Sequence, residues 1–319
     1  MTANAAVRVS GEGLWMPPLD GEEPLPSLPV DLGRLRRMDR FGRSGFLAGG
    51  LALASAGQGV RTPPDPKLGV VFGTAHGCRD SLIDFTLEIA AATSVEGLSP
   101  ALFAETVHNT VNGELAIAWG LGGPSETLVS GKTGGADALV RAARLLLAGR
   151  AEAVVAGGAE GVHPRMRAWE DGSGGPMIPL REAGAALLLD LPSTPAAGDI
   201  LLGPSAWFRE PDPSRATVRV GSWIARVFGS TQPPLLVAAT VEADATLAGP
   251  SVIRLSREIG ELAGAAGAVG AVLAVRELRA GKAYAAAVVA RDPDGATTVL
   301  GFFASIYSQN GVNWYHWDG

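Results

Sequence analysis

Apolar residues along this chain fall into short continuous runs that alternate with segments of helical periodicity. The runs LGVVFGT (68–74), AEAVVAGGAE (151–160) and AGAALLLDL (183–191) are apolar almost throughout, which is typical of buried strands. Segment 136–149 places apolar residues at i, i+3 and i+4 spacing and predicts an amphipathic helix that ends at Gly149. Buried strands that alternate with helices predict an α/β fold with helices on both faces of the sheet.

The remaining segments give weaker predictions. Helical spacing favours helices over 31–57, 81–92, 101–121 and 253–278. Shorter apolar runs predict strands over 126–130, 283–291 and 297–307. We expect the 101–121 helix to be interrupted near Asn112-Gly113, because glycine weakens a helix interior. Residues 15–30 are Pro-rich and predict an extended arm, whereas 192–235 hold too many Pro, Ser and Gly residues for an assignment.

Composition narrows the classes of function. The chain has 319 residues, 47% of them hydrophobic, which suits one large unit or two pseudo-repeated units with a sizeable core. A net charge of -6 without a Lys/Arg run argues against nucleic-acid binding. One cysteine allows no internal disulfide and fits a reducing cytoplasm. No apolar stretch reaches membrane-spanning length and the first residues do not resemble a signal peptide, so we expect a cytoplasmic protein.

Few side chains suggest chemistry by type and spacing alone. Cys78 and His76 are two residues apart and could form a nucleophile–base pair, but a structural role for Cys78 is the simpler interpretation. SGKTGG (130–135) lacks the first glycine of a phosphate-binding loop, since Glu126 stands there. His108, His163 and His316 are scattered without metal-ligand spacing, so no metal and no cofactor are expected.

Two stretches resemble the β-ketoacyl synthase family. GLGGPSETLVSGKTGGADALVRAARLLLAGRAEAVVAGGAEG (120–161) matches the family's Gly-Pro-Ser turn, nucleophile elbow, helix and Ala-Gly-Gly-Ala-Glu strand without gaps. IGELAGAAGAVGAVLAV (259–275) is similar to the family's Gly-His-x-x-Gly-Ala-Ala-Gly segment. The resemblance is specific over 66–190 and 255–278 and loose elsewhere. It implies a thiolase-like fold of two related α/β halves, about 1–175 and 176–319, in a five-layer αβαβα arrangement.

The resemblance also implies a degenerate active site. The family's catalytic cysteine aligns with Lys132, the first catalytic histidine with Glu261 and a lysine of the family with Ser256. The second histidine should lie between about 230 and 250, where the chain has none. Lysine cannot form a thioester, and an ionised carboxylate cannot donate a hydrogen bond to a developing oxyanion. We expect Lys132 to pair with Glu261 across the pocket; the alternative is that Lys132 points into solvent.

A second set of residues corresponds to the family's dimer interface and acyl tunnel. The resemblance places Phe103, Val107, Thr110 and Val111 on the tunnel lining, although ordinary core packing is an equal alternative. The strand 126–130 corresponds to the family's dimer strand, which brings Thr127 and Val129 to the interface.

These expectations lead to a hypothesis and its alternatives. The chain resembles most a chain-length factor, the Cys-less partner subunit of type II polyketide synthases. This implies an inactive subunit that pairs with a Cys-containing β-ketoacyl synthase as a heterodimer and meets an acyl carrier protein through that complex. One alternative is an acyltransferase or hydrolase whose rebuilt pocket uses Lys132, Glu261 or Ser130. Another is a structural or regulatory homodimer.

Overall fold

The protein is described by a computed structural model that covers residues 6–18, 24–164, 178–229, 235–244, 247 and 252–305. Within these ranges the strands are β1 Val7–Trp15, β2 Leu68–Thr74, β3 Ser125–Val129, β4 Ala153–Glu160, β5 Ala183–Asp190, β6 Ile200–Arg209, β7 Leu235–Ala238, β8 Val252–Arg254, β9 Ala285–Arg291 and β10 Ala296–Ala304. The α-helices are α1 Arg40–Ser55, α2 Arg79–Ala91, α3 Pro100–Ala104, α4 Thr110–Trp119, α5 Gly134–Leu147, α6 Pro213–Phe228, α7 Val241–Asp244, α8 Leu255–Glu258 and α9 Ala266–Arg279. Short 3-10 turns occupy Leu32–Arg36, Val95–Gly97, Gly131–Thr133 and Ala263–Ala265.

The strands pair in the order β3-β2-β4-β5-β1-β6-β10-β9-β7-β8. The last five repeat the first five in mirrored order, so that β6 corresponds to β1, β7 to β2, β8 to β3, β9 to β4 and β10 to β5. Pairing directions agree, because β2 and β7 are each parallel to both of their neighbours and the other pairs are antiparallel. The two five-stranded units meet through three residue pairs, between Val7–Val9 of β1 and Ile200–Leu202 of β6. The chain is therefore a structural duplication.

Helices cover both faces of each five-stranded unit. The largest apolar cluster holds the inward faces of α5 and α9, which pack between the two units. A second cluster joins α1 and α4 to the outer face of the first unit, and a third joins α6 to the outer face of the second. These are the five layers expected of a thiolase-like fold, and the fold prediction is confirmed. Glycine allows the closest contacts, since a Cβ on Gly73 of β2 would lie 1.9 Å from the Gly134 carbonyl oxygen.

The strand predictions and those for α2 and α5 agree with the structure to within a turn or less at each end. The boundary between the halves differs. The fifth strand of the first unit ends at Asp190, so β5, whose sequence was assigned to the second half, contributes to the first unit's sheet.

Three other predictions need correction. The unassigned segment 192–235 contains β6 and α6, and α6 begins at an Asp212-Pro213 start in which Asp212 accepts from the amides of Ser214 and Arg215. The 101–121 helix breaks at 105–109, whereas Asn112-Gly113 lies inside α4. The 253–278 helix is β8, α8 and α9, interrupted where Gly260 and Ala263 take positive φ angles. The Pro-rich arm 15–30 lies partly outside the described residues.

Candidate functional site

The loop between β3 and α5 carries Lys132 at the end of the parallel strands. Gly131 takes a φ of 63°, which turns the chain sharply out of the strand. Asp137, in the first turn of α5, fixes the loop by accepting hydrogen bonds from the hydroxyls of Ser130 (2.7 Å) and Thr133 (2.8 Å). It also accepts from Thr298 on β10, which ties the loop to the second unit. Ser130 is therefore a structural donor whose hydroxyl already has a carboxylate acceptor.

The Lys132 ammonium lies between two carboxylates of the second unit. Its Nζ donates to Oε1 and Oε2 of Glu242 at 2.8 and 3.0 Å and to Oε2 of Glu261 at 3.2 Å. An ammonium has three N–H groups, and these three contacts use all of them. The pair expected between Lys132 and Glu261 is present, and Glu242 joins it as a third member. Lys132 does not point freely into solvent, since 22% of its side chain is exposed.

A third carboxylate occupies the backbone of the same loop. The amide of Lys132 donates to Oδ2 of Asp292 at 2.7 Å, and this oxygen lies so close to Gly131 that a Cβ there would approach it to 1.9 Å. Asp292 begins the tight turn between β9 and β10, in which its carbonyl accepts a hydrogen bond from the Gly295 amide. In an enzyme that stabilises an oxyanion at this loop, the Lys132 amide would have to be available as a donor.

Glu261 is held by its own backbone neighbourhood. Gly260 precedes it with a φ of 118°, and the Glu261 amide and carbonyl form a short parallel bridge with the segment around Leu180. Its Oε1 accepts from the amide of Ala263 at 2.9 Å, while Oε2 faces Lys132. Both oxygens therefore have donors, which is what a carboxylate that is 7% exposed requires.

The carboxylates decide the charge state of Lys132. Burial lowers the pKa of this ammonium, but the Coulombic attraction of Glu261 and the hydrogen bonds and charge of Glu242 outweigh burial, and the pKa lies above the usual lysine value of 10.5. Lys132 is thus a cation at neutral pH and has no free electron pair with which to attack a thioester.

The ion pair borders a cavity of about 520 Å³. Lys132, Glu242, Glu261, Asp292 and His76 form its polar wall. Its apolar wall consists of Ala75, Ile178, Leu180, Val241, Ala263 and Pro293. The four charged side chains carry a net charge of -2, one ammonium against three carboxylates. The space at Lys132 is therefore acceptor-rich and is narrowed by the ion pair without being filled.

His76 and Cys78 serve different parts of the structure. Nδ1 of His76 lies 3.0 Å from Oε2 of buried Glu160, whose Oε1 accepts from Thr74 and from the amides of Ala75 and His76. The Cys78 sulfur instead contacts Nδ1 of His108 at 3.3 Å. Burial, with the charge of Asp39, raises the pKa of the Cys78 thiol to about 11.

The other predicted site residues lie outside the cavity. Ser256 is buried in α8, and its hydroxyl has no hydrogen-bond partner within the described part of the chain. Phe103, Val107 and Val129 are exposed, by 60%, 47% and 54%, and Thr127 is half-buried. Thr110 is nearly buried, and its hydroxyl donates to the Val107 carbonyl.

Val111 corrects the surface prediction. It is fully buried and packs against Gly45 of α1, so it belongs to the core. The helical break at 105–109 rotates α4 relative to the face that was expected. His163 is buried within 3.6 Å of Asp84, and His316 lies outside the described residues. The described residues hold no cluster of three or more metal-ligating side chains, and none of their helices is long and apolar enough to cross a membrane.

Sequence reasoning missed Glu242, Asp292 and Asp137. Glu242 lies in VEADATLAG, the stretch in which a histidine was sought, and its carboxylate takes the place of a second functional group at the loop. Asp292 stood in the predicted turn between two strands, and the sequence held no signal that this turn reaches the first unit.

Comparison with known proteins agrees with this architecture. The family profile described as "Beta-ketoacyl synthase, N-terminal domain" matches residues 30–169. The chain is 35% identical over 125 residues to a 3-oxoacyl-[acyl-carrier-protein] synthase 2 of Vibrio harveyi and 34% identical over 125 residues to that of Vibrio cholerae. Each alignment covers 39% of this chain and 30% of the relative, so the chain matches less than a third of the length of these curated relatives.

Solved structures match over a larger part of the chain. A type II PKS acyl carrier protein in complex with its ketosynthase bound to the hexaketide has a TM-score of 0.79 at 19% identity, covering 94% of this chain and 100% of that one. The ishigamide ketosynthase/chain length factor gives 0.73 at 21% identity, covering 94% and 99%. A β-ketoacyl synthase from Burkholderia phymatum gives 0.74 at 15% identity, covering 94% and 100%. At these identities the structural likeness establishes the fold.

Proposed function

We propose that this chain, which belongs to the β-ketoacyl synthase family, is a subunit inactive in condensation that pairs with an active β-ketoacyl synthase and shapes the acyl tunnel of the pair. One observation carries the proposal. The position of the family's nucleophile holds an ammonium whose three N–H groups are engaged by Glu242 and Glu261, and whose backbone amide is engaged by Asp292.

Each requirement of a decarboxylative condensation lacks its group here. No thiol is available at the loop, because the chain's only cysteine is Cys78, which is buried next to His108. The loop amide that could stabilise an oxyanion already donates to Asp292. Carboxylates surround the reaction space and would repel the enolate that decarboxylation produces. The site is thus unsuited to this reaction for three independent physical reasons.

An exposed sheet edge supports a partner. β3 is the last strand on its side of the sheet in the described part of the chain and pairs there with β2, which leaves half of its backbone groups open to a further strand. Val129 on β3 and Ile117 on the neighbouring α4 are exposed apolar side chains, Ile117 by 73%. A strand and an apolar helix face presented together suit an obligate interface, which buries about 2,000 Å² or more.

The tunnel role rests on the segment beside this edge. Phe103 and Val107 project from the short connection between α2 and α4 and are exposed in the single chain. The Phe103 ring packs against Phe85, with centroids 5.5 Å apart. Two large apolar side chains on an edge segment would line a channel shared with a partner, and their volume would limit the chain that it holds. The structural neighbours named above include a ketosynthase with a chain length factor and one with a carrier protein.

Co-expression with a Cys-containing β-ketoacyl synthase tests the pairing. We expect one stable complex by light scattering, and we expect Val129→Glu to dissociate it because the substitution places a charge in an apolar interface. Val218→Glu, at an exposed valine on the outer helix α6, is the matched control and should leave the complex intact. A monomeric wild-type chain that never associates with a synthase, or a complex insensitive to Val129→Glu, would contradict the pairing.

Product analysis of that complex tests the tunnel role. Phe103→Ala should lengthen the acyl product while leaving turnover unchanged, because it widens the channel and leaves the partner's chemistry untouched. Val218→Ala is the control, and an unchanged product length with Phe103→Ala would remove the gating role.

The cavity keeps one alternative open. A pocket of about 520 Å³ with His76 held by Glu160 would suit an acyltransferase or hydrolase with a rebuilt site. The engaged donors at Lys132 argue against it, because an acyl-transfer oxyanion would find no free N–H on that residue. Thiol release from an acyl thioester, lost in His76→Gln, would favour this alternative.

A further inference from the structure

The connection that carries Phe103 and Val107 is fastened to the body of the protein through a small set of contacts. The amide of Ser99 donates to Oε1 of Glu88 at 2.9 Å, the Phe103 ring contacts Phe85, and His108 contacts Cys78. Glu105, which follows directly after α3, adds a carboxyl that turns toward the protein interior.

Glu105 meets an unfavourable environment for a charge. Its Oε2 is buried and has no hydrogen-bond donor among the described residues. Burial raises the pKa of this carboxyl most, the carboxylates of Asp39 and Glu114 raise it further by repulsion, and Arg37 acts in the opposite direction. Asp39 is itself occupied by the Gly42 amide and the Ser81 hydroxyl and cannot act as a donor while ionised.

The other charged groups around this point are already paired. Arg34 of the 3-10 turn Leu32–Arg36 binds Glu114, and Arg40 of α1 binds Asp80 of α2. Within the segment, His108 faces Cys78, whose thiol is neutral at ordinary pH. The pKa of Glu105 reaches about 7 under burial and the repulsion of the two carboxylates. Glu105 therefore changes charge close to neutrality while its Oε2 is enclosed under the connection.

We propose that Glu105 is a proton-controlled latch: the neutral carboxyl keeps segment 99–109 docked on the body, and the ionised carboxylate, enclosed without a donor beside Asp39 and Glu114, releases it. The latch is a property of this chain alone. Its consequence rests on the proposed function, since release would move Phe103 and Val107, the side chains assigned to the shared tunnel.

The direction of the pH effect follows from linkage. A carboxyl with a raised folded-state pKa binds its proton more tightly when docked than when released, so the docked state loses stability as pH rises from the ordinary glutamate value toward about 7. Above that range both states are ionised and the effect levels off. We expect the opening equilibrium of the segment to increase on the order of tenfold between about pH 5.5 and about pH 8.5.

Amide hydrogen exchange of the isolated full-length chain tests the latch without any partner. Protection of peptides that cover 99–109, corrected for intrinsic exchange rates, should fall across this pH range. Glu105→Gln removes the charge and keeps the shape, so its protection should stay at the low-pH level at every pH. Glu96→Gln changes a carboxylate outside this cluster, on a residue that is exposed, and should behave as wild type.

Two results would overturn the latch. One is wild-type protection that does not change with pH. The other is an undiminished pH dependence in Glu105→Gln, which would assign the titration to Asp39 or His108. Carbon-13 NMR of the Glu105 carboxyl gives a second measurement that needs no variant, and an inflection at the ordinary glutamate pH would also exclude the latch. Because no partner is present, a failure here leaves the pairing hypothesis untouched.

Discussion

Replacing Lys132 by methionine perturbs the site at its central cation. Methionine keeps most of the length and apolar character of the stem, but it leaves Glu242 and Glu261 facing each other without this counter-charge. Removing one partner of a buried ion pair costs about 3–5 kcal/mol. Lys132 and Glu242 still expose about a fifth of their side chains, 22% and 20%, so we expect a loss of about 3 kcal/mol, at the lower end of that range.

Urea unfolding at neutral pH measures this loss as a change in the free energy of unfolding. The matched control is Lys67→Met, which removes the cation of the Lys67–Glu152 pair, whose side chains are 58% and 72% exposed. An exposed pair contributes less than about 1 kcal/mol, so the control should change little. If Lys132→Met destabilises the protein no more than Lys67→Met does, the carboxylates are not held together by Lys132 and the electrostatic account of the site is wrong.

A compensated variant separates charge from packing. Adding Glu242→Gln and Glu261→Gln to Lys132→Met replaces the whole ion pair by neutral groups, and such replacements are often close to neutral in stability. The amide oxygen introduced by Glu261→Gln would still accept from the Ala263 amide. We therefore expect most of the lost stability to return. If the triple variant is as unstable as Lys132→Met, the loss arises from packing of the lysine stem.

Three further predictions follow from the same contacts. Because the folded-state pKa of Lys132 is raised, its stabilising contribution should be complete below the ordinary lysine value and vanish only as pH rises through the higher folded value, so the difference in unfolding free energy between wild type and Lys132→Met should be constant from about pH 6 to about pH 9. Purified alone, the chain should show no acyl adduct by intact-mass analysis and no carbon dioxide release from malonyl thioesters; an adduct that turns over would contradict condensation inactivity. Cys78, with a pKa of about 11, should be about a thousandth ionised at pH 8 and alkylate slowly until urea exposes it, whereas fast alkylation of the native protein would be inconsistent with its burial.

The sequence predicted those parts of the site that depend on local motifs. Lys132 and Glu261 each lie in a glycine-rich segment whose spacing is fixed by the strand or helix next to it, and their approach followed from that placement. Glu242 and Asp292 depend on where the second unit's loops end in space. The chain reaches Glu242 through a Pro- and Ser-rich segment that has no clear periodicity, so its position could not be derived.

Val111 illustrates a different limit. Its side chain was assigned from helical spacing across 101–121, and that assignment assumes one continuous helix. The break at 105–109 resets the phase of α4, and Val111 turns toward α1. Residues on either side of a break keep their apolar character, but the face on which they lie is decided by the tertiary contacts of the turn. Phe103 and Val107, which precede α4, are on the surface.

The altered positions of the site depend on one another. The start of α5 offers the positive end of a helix dipole, which favours a thiolate and disfavours an ammonium by about 0.3–1 kcal/mol. The lysine is stable there because Glu242 and Glu261 supply a larger attraction, and these carboxylates are stable in the cavity because the lysine neutralises part of their charge. A cysteine placed at position 132 alone would meet uncompensated carboxylates, which raise a thiol pKa and work against the dipole. A return to a reactive nucleophile would therefore need simultaneous changes in both units, because each of the three side chains is stable only in the presence of the others.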